Sequence, residues 1–353
     1  MEQELKARPG ALRRLVKGAN FNWNLFLIVV LVAEFVVFGL KNPKFLRLSL
    51  LLNATNDFLP ICFISIFVTF VMITGGIDIQ AGSIVGLTSI VIGILWQELN
   101  LNVWVAVVLA VLVAGLCGAL SGFFVAYCRV QAMVVTLGGS FLYSGLALLV
   151  ASLSSTEMYK GLSIESESFR AFTKYKLFDV IPLQLLLFLA LLVIAYLLLH
   201  ASKYGRKVYL VGVNPSAAEY SGVNARAVVM STYVLSGLAA GITGVFMTSQ
   251  FSNTALPTHG STLTMSIITA CVLGGTLSTG GKGSVIGTAL AAIIIGLLRF
   301  GMPLCFGINK QYLDIPIGVL LLAVVIGRAI VSNPNVVAFF GKLRSKKKAP
   351  ASA

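Results

Sequence analysis

Thr74 to Leu87 reads TGGIDIQAGSIVGL: two adjacent glycines and a carboxylate set between apolar runs long enough to be helices. Gly75, Gly76, Gly82 and Gly86 allow backbones to approach closely and let the chain turn where a side chain would clash. Asp78, just before a new apolar run, can accept hydrogen bonds from the free N–H groups of the next helix and complement its positive end. The stretch therefore reads as a break between two membrane helices. It is either a capped helical hairpin or the border of a substrate path or gate, with Thr74, Gly75, Gly76, Asp78, Gly82 and Ser83 as candidates. An ionisable group at membrane depth is costly unless partnered, which keeps the second reading open.

Composition supports the membrane setting. Of 353 residues, 58% are hydrophobic and 11% charged, and the mean hydropathy is +0.94, so a soluble globule is excluded. The net charge of +14 is carried at the termini and in short loops beside apolar segments, which reads as membrane orientation and not as nucleic-acid binding. Cys62, Cys117, Cys128, Cys271 and Cys305 are scattered without a CxxC pair, so they read as packing residues. No small-residue cleavage site follows the first apolar run, which is read as a retained helix.

The fold class is an all-α polytopic membrane protein. Apolar runs suited to crossing a bilayer core of about 30 Å fall at 24–40, 58–77, 82–97, 103–127, 132–153, 181–200, 227–248, 265–279, 284–301 and 312–331, with the third and eighth short. Lys6, Arg8, Arg13, Arg14 and Lys17 before the first span, and Lys342, Arg344 and Lys346 to Lys348 after the last, put both termini in the cytoplasm. The chain then divides into a cytoplasmic segment 1–23, a permease domain 24–331 and a basic cytoplasmic tail 332–353. The basic loop 201–226 falls inside and loop 154–180 outside, whereas Lys41, Lys44 and Arg47 fall outside against the trend. GGIDIQAGSIVG (75–86) and GGTLSTGGKGSVIG (274–287) echo each other; an internal repeat is one reading, and it adds Gly274 and Gly275 to the path candidates.

In loop 201–226, Asn214–Pro215 signals a helix start and Gly222 a stop, predicting a short helix over 216–221. Ala217 and Ala218 give it a small contact face, with Glu219, Asn224 and Arg226 as a polar rim. Catalysis is not indicated. The two histidines are far apart, no Ser-His-Asp or Cys-His spacing stands out, and GGKGS (280–284) fails the phosphate-loop pattern at Thr276 and Gly283. Neither a metal nor a cofactor is expected. Glu34 inside the first span should be partnered by another helix or protonated, and Arg299 is near enough to a span end to snorkel.

GGIDIQAGS (75–83), RVQAMVVTLGG (129–139), YGRKVYLVGVNPSAAEYSGVNAR (204–226), YVLSGLAAGITGV (233–245) and ACVLGGTLSTGGKGSVIGT (270–288) occur in one order along most of the chain. Together they resemble the permease subunits of bacterial ABC importers for ribose, other monosaccharides and autoinducer-2. EFVVFGLKNPKFL (34–46), TNDFLPI (55–61), IITACVLGG (267–275) and AVVIGRAI (323–330) are most similar to the autoinducer-2 branch. Leu263, Thr264 and Met265 stand where ribose-type relatives carry an acidic tripeptide, which fits that branch better.

The resemblance implies an inner-membrane transport subunit that performs no chemistry and translocates autoinducer-2 or a related small sugar-like solute. ATPase subunits, a second permease chain (a heterodimer favoured over a homodimer) and an external substrate-binding protein would be its partners. It also makes loop 201–226 the element that couples to the ATPase, through Gly205, Arg206, Gly212, Asn214, Pro215, Ala217, Ala218, Glu219 and Gly222. The stretch SQFSNTALPTHGST (249–262) would meet the binding protein, with His259 as an exposed loop residue the other reading. Alternatives are a permease for a monosaccharide such as ribose or rhamnose, and an ion-coupled secondary transporter, whose acids would form a relay, whereas Glu34, Asp78 and Asp314 are scattered.

Overall fold

A computed structural model describes residues 23–154, 156, 160–251, 253–309 and 312–332. The basic residues on which the orientation of the termini rests, Lys6 to Lys17 and Lys342 to Lys348, lie outside the described residues.

The chain is a helical bundle. In order, its elements are α1 (Trp23–Lys41), α2 (Leu48–Ile73), α3 (Ala81–Gln97), α4 (Val103–Ala126), α5 (Ala132–Ala151), the short amphipathic α6 (Glu167–Lys174) and α7 (Leu183–Tyr196). A single turn of π-helix, Leu197–Ala201, leads to α8 (Lys203–Val213) and α9 (Pro215–Tyr220), followed by α10 (Ala225–Gln250), α11 (Leu263–Leu273), α12 (Val285–Phe306) and α13 (Asp314–Ser332). Seven of these segments are long and apolar enough to cross a membrane. Each of the ten expected spans contains a helix, and α3, α11 and the stretch Asp314–Val324 of α13 are the shorter apolar ones.

Two boundaries differ from expectation for local reasons. α2 begins ten residues before the expected 58, since the polar Asn53, Asn56 and Asp57 interrupt its apolar run without breaking the helix. It ends at Ile73 because Gly75, at φ +85°, turns the chain. The Gly76 N–H reaches Val71 O (3.0 Å) and the Gly75 N–H reaches Met72 O (3.0 Å), the paired bonds of a Schellman closure. α11 ends in the same way through Gly275 (φ +97°), with Thr276 N to Cys271 O at 3.0 Å and Gly275 N to Val272 O at 3.0 Å. The structural correspondence is thus Gly75 with Gly275, one residue away from the match of the quoted motifs.

The core is built on α2, whose apolar window is 89% buried, with α10 and α12 packed against it. The most extensive helix pair is α4 with α10. Small residues make this possible: a methyl on Gly118 would strike the Tyr233 carbonyl, and one on Gly237 the Ala114 carbonyl. The outer faces of α4, α5 and α7 expose apolar rows including Leu112, Leu116, Phe141, Leu148 and Val193, the surface a lipid-embedded chain or a membrane partner requires.

Within the stretch expected to lie outside and meet the binding protein, residues 253–262 run along α3 after α10 ends. A methyl on Gly93 would meet Ala255 and Leu162, one on Gly86 the Pro257 carbonyl, and one on Gly82 the Gly260 carbonyl and the Thr264 hydroxyl. His259 is only 6% exposed, so it is no exposed loop residue. The top of the stretch is held by β4 (Thr254–Ala255), antiparallel to β1 (Leu162–Ser163), and by the Leu256 N–H donating to Ser89 Oγ at 3.2 Å. The other strand pair, β2 (Lys176–Leu177) with β3 (Ile181–Pro182), closes the loop before α7. Non-helical backbone is tolerated at membrane depth only where protein covers it, and α3 provides that cover.

Candidate functional site

The two glycine-bearing loops, 74–80 and 274–284, meet at one end of the bundle. The Gly281 N–H donates to the Ile73 carbonyl at 2.8 Å, the last carbonyl of α2. The second loop is folded tightly enough to reach it by Leu277 N to Lys282 O (3.0 Å) and Gly280 N to Leu277 O (3.1 Å), with Gly280 and Gly281 both at positive φ.

α8 lies on this junction. Any Cβ at Gly212 would collide with the same Ile73 carbonyl and come within 2.8 Å of Gly281 N. Tyr209 Oη donates to the Gly283 carbonyl at 2.7 Å. Burial pushes the Tyr209 phenol up to about 12, so it remains a protonated donor at any physiological pH. Tyr204 Oη shares a 2.8 Å hydrogen bond with Ser231 Oγ of α10. Ser202 Oγ caps the start of α8 by accepting the Gly205 N–H at 3.1 Å. Gly205 packs against the Leu199 carbonyl, a contact that excludes any side chain.

α9 follows at once. Asn214 Oδ1 accepts the Ala217 N–H at 3.0 Å, Pro215 occupies the first helical position, and Gly222 at φ +80° ends the turn. Ala218 is buried, with 3% exposure, and packs into the chain's own core. The outward face is made by Pro215, Ser216, Ala217, Glu219 and Tyr220, while Arg206 is exposed on α8. A cavity of about 480 Å³ opens between α9, Thr74 to Gly76 and the α4–α5 turn at Arg129.

Asp78 is 1% exposed. Its Oδ1 accepts the Gln80 N–H at 3.1 Å and its Oδ2 accepts Ser236 Oγ–H of α10 at 2.6 Å. The loop is tied to α4 by Ser121 Oγ donating to Gln80 Oε1 (2.7 Å) and to α5 by Thr136 Oγ1 donating to the Ile77 carbonyl (2.9 Å). Tyr143 Oη donates to the Cys117 carbonyl at 2.9 Å beside them. Gly76 lies against the Tyr233 hydroxyl, which has no partner among the described residues.

Of the sequence candidates, Thr74, Gly75 and Gly76 thus adjoin α9, while Asp78 anchors the loop to α10. Gly274 lies against the backbone of Thr288 in α12, and Gly275 against Trp23. Gly82 and Ser83 belong to a different surface, at the start of α3. There Ser83 Oγ accepts from Ser144 Oγ (2.9 Å) and donates to Ser140 Oγ (3.4 Å), beside the descending stretch with its exposed Thr258, Ser261 and Thr262.

Sequence reasoning missed Gln80, Ser121, Tyr209, Tyr233 and Ser236. Tyr209 alone carried a signal, as an aromatic ring set among the charges of loop 201–226. Among the described residues, no three His, Cys, Asp or Glu side chains group closely enough to hold a metal ion.

A family described as “Branched-chain amino acid transport system / permease component” matches residues 50–325. The chain is 37% identical over 311 residues to the autoinducer 2 import system permease protein LsrD of Klebsiella pneumoniae subsp. pneumoniae, covering 88% of this chain and 92% of that protein. It is 38% identical over 311 residues to the protein of the same name from Enterobacter sp. strain 638, covering 88% and 94%. For the Escherichia coli K12 protein the identity is 36% over 313 residues, covering 88% and 93%. No solved structure matches the chain.

Proposed function

Since the chain belongs to the branched-chain amino acid transport system / permease component family, we propose that it is the membrane permease of an ATP-driven importer of autoinducer-2. Curated relatives of that name, alike over nearly the whole chain, support the solute. The chain is a multi-pass inner-membrane transport subunit and not itself the catalyst. ATP hydrolysis belongs to separate subunits, an external binding protein delivers the solute, and a second, different permease chain completes the pore.

The observation that carries the mechanism is the contact of Gly212 with the Ile73–Gly281 junction. α9 presents a small, firmly capped surface suited to a groove on an ATPase subunit. Displacement of α9 moves α8, with which it is continuous through Asn214. Through Gly212 and Tyr209, α8 bears on the ends of both glycine loops. Those loops terminate α2 and α11 and start α3 and α12, so one push at the surface reorients four helices. The hydroxyls of Ser83, Ser140 and Ser144 give the solute hydrogen-bonding groups on a face formed by α3 and α5.

Uptake into proteoliposomes holding the complete importer tests this reading, with autoinducer-2, ribose and rhamnose as competing solutes and ATP inside or omitted. Tyr209→Phe, which removes the bond to the Gly283 carbonyl and keeps the ring, should leave assembly and ATP hydrolysis measurable while uptake falls severalfold. Ser83→Val should reduce uptake but not hydrolysis. Uptake driven by an ion gradient without ATP would overturn the proposal, and preference for ribose or rhamnose would replace the solute while keeping the class.

A further inference from the structure

At the opposite end of the bundle from α9, a cavity of about 570 Å³ lies inside the single chain, between α2, α10, α11 and α12. Its polar lining is Asn56, Asp57, Gln250, Thr262 and Arg299, and Phe251 and Phe300 contribute to the apolar wall. Arg299 Nη2 donates to Ser266 Oγ at 2.8 Å and to Asp314 Oδ1 at 3.0 Å. Its Nε is buried without a partner among the described residues, and so is Asn56 Oδ1.

We propose that this cavity is a binding site for a small, neutral, polyhydroxylated molecule, held within one permease chain before it enters the path between the two. That the molecule is the transported solute rests on the import reading; the site itself rests on the cavity.

Three features select the ligand. Arg299, which carries an unsatisfied donor, and Asn56, which carries an unsatisfied acceptor, both line this space, and a hydroxyl both donates and accepts. The guanidinium charge is already met by Asp314, and Asp57 adds a further carboxylate, so a phosphate or carboxylate ligand would meet more repulsion than attraction. Aromatic rings beside these groups suit the C–H face of a sugar-like ring, and the volume lies within the range of small-molecule sites, about 300–1,000 Å³. Few direct polar contacts imply weak binding, as a site that must release its occupant requires.

The test labels Gln250→Cys in the reconstituted importer with a membrane-impermeant maleimide, using the wild-type importer as the background for its own five cysteines. Autoinducer-2, ribose, rhamnose and, as an anionic control, ribose 5-phosphate serve as protecting solutes. The carried neutral solute should slow labelling at least threefold, and ribose 5-phosphate should not. Asn56→Leu, in the same background, should raise the half-protecting concentration about tenfold, the worth of one hydrogen bond. It should also leave the melting temperature unchanged or higher, because Oδ1 has no partner to lose. Equal protection by ribose 5-phosphate would overturn the neutral class. Undiminished labelling alongside continued ATP-driven uptake would overturn the site and leave the transport reading standing. Protection without ATP-driven uptake would keep the site and remove the transport reading.

Discussion

Asp78 shows what a sequence reveals one residue at a time. Its cap to Gln80 is local, two positions along the chain, and follows from a carboxylate placed just before an apolar helix. Its second partner, Ser236, stands 158 positions away and carries no sequence signal, since serines inside membrane helices commonly bond their own backbone. Removing the carboxylate leaves the Gln80 N–H and the Ser236 hydroxyl buried and unsatisfied, at about 1–3 kcal/mol for each group. We expect Asp78→Ala to lower the detergent melting temperature clearly and Ser236→Ala to lower it less. The double variant should be little worse than Asp78→Ala alone, because the two changes break one contact. Strictly additive losses would show that the 2.6 Å contact does not contribute to stability.

At the scale of elements, α9 was legible and α8 was not. Asn214–Pro215 and Gly222 punctuate α9 in the sequence as they do in the structure. α8 is eleven residues long with Lys203, Arg206 and Lys207 in it, and a helix that short owes its stability to packing, not to its own propensity. Val208, Val211 and Gly205 provide that packing as its buried face. The side chains of Ala217 and Ala218 also could not be sorted from sequence, because neighbouring residues on a helix point about 100° apart and only the neighbouring elements decide which is inside. The consequence is testable by comparing Ala217→Glu with Ala218→Glu. The first should release the ATPase subunits while the permease melts normally, as read by co-purification and thermal unfolding. The second should destabilise the permease itself by about 2 kcal/mol or more through a buried charge. Equal behaviour in both assays would contradict the assigned outward face.

For the whole molecule, the ten apolar segments foretold the helices because hydropathy is summed over about twenty residues and survives local error. The path of 253–262 was hidden. It depends on α3 offering Gly82, Gly86 and Gly93 as a groove for a backbone that is remote in sequence, and nothing within 253–262 announces it. This arrangement bears on how the protein is made. α11 has eleven residues, about 16 Å of helix, roughly half of the hydrocarbon core, so the membrane-insertion machinery cannot recognise it as a span in its own right. We expect its insertion to follow that of α3, whose glycine groove receives the extended strand above it. A Gly86→Leu chain should therefore synthesise normally yet leave α11 reachable by an aqueous thiol reagent through Ser266→Cys, while the intact groove keeps that position protected. The glycines of α3 would then act as an assembly template, setting the order in which the halves of this permease enter the membrane.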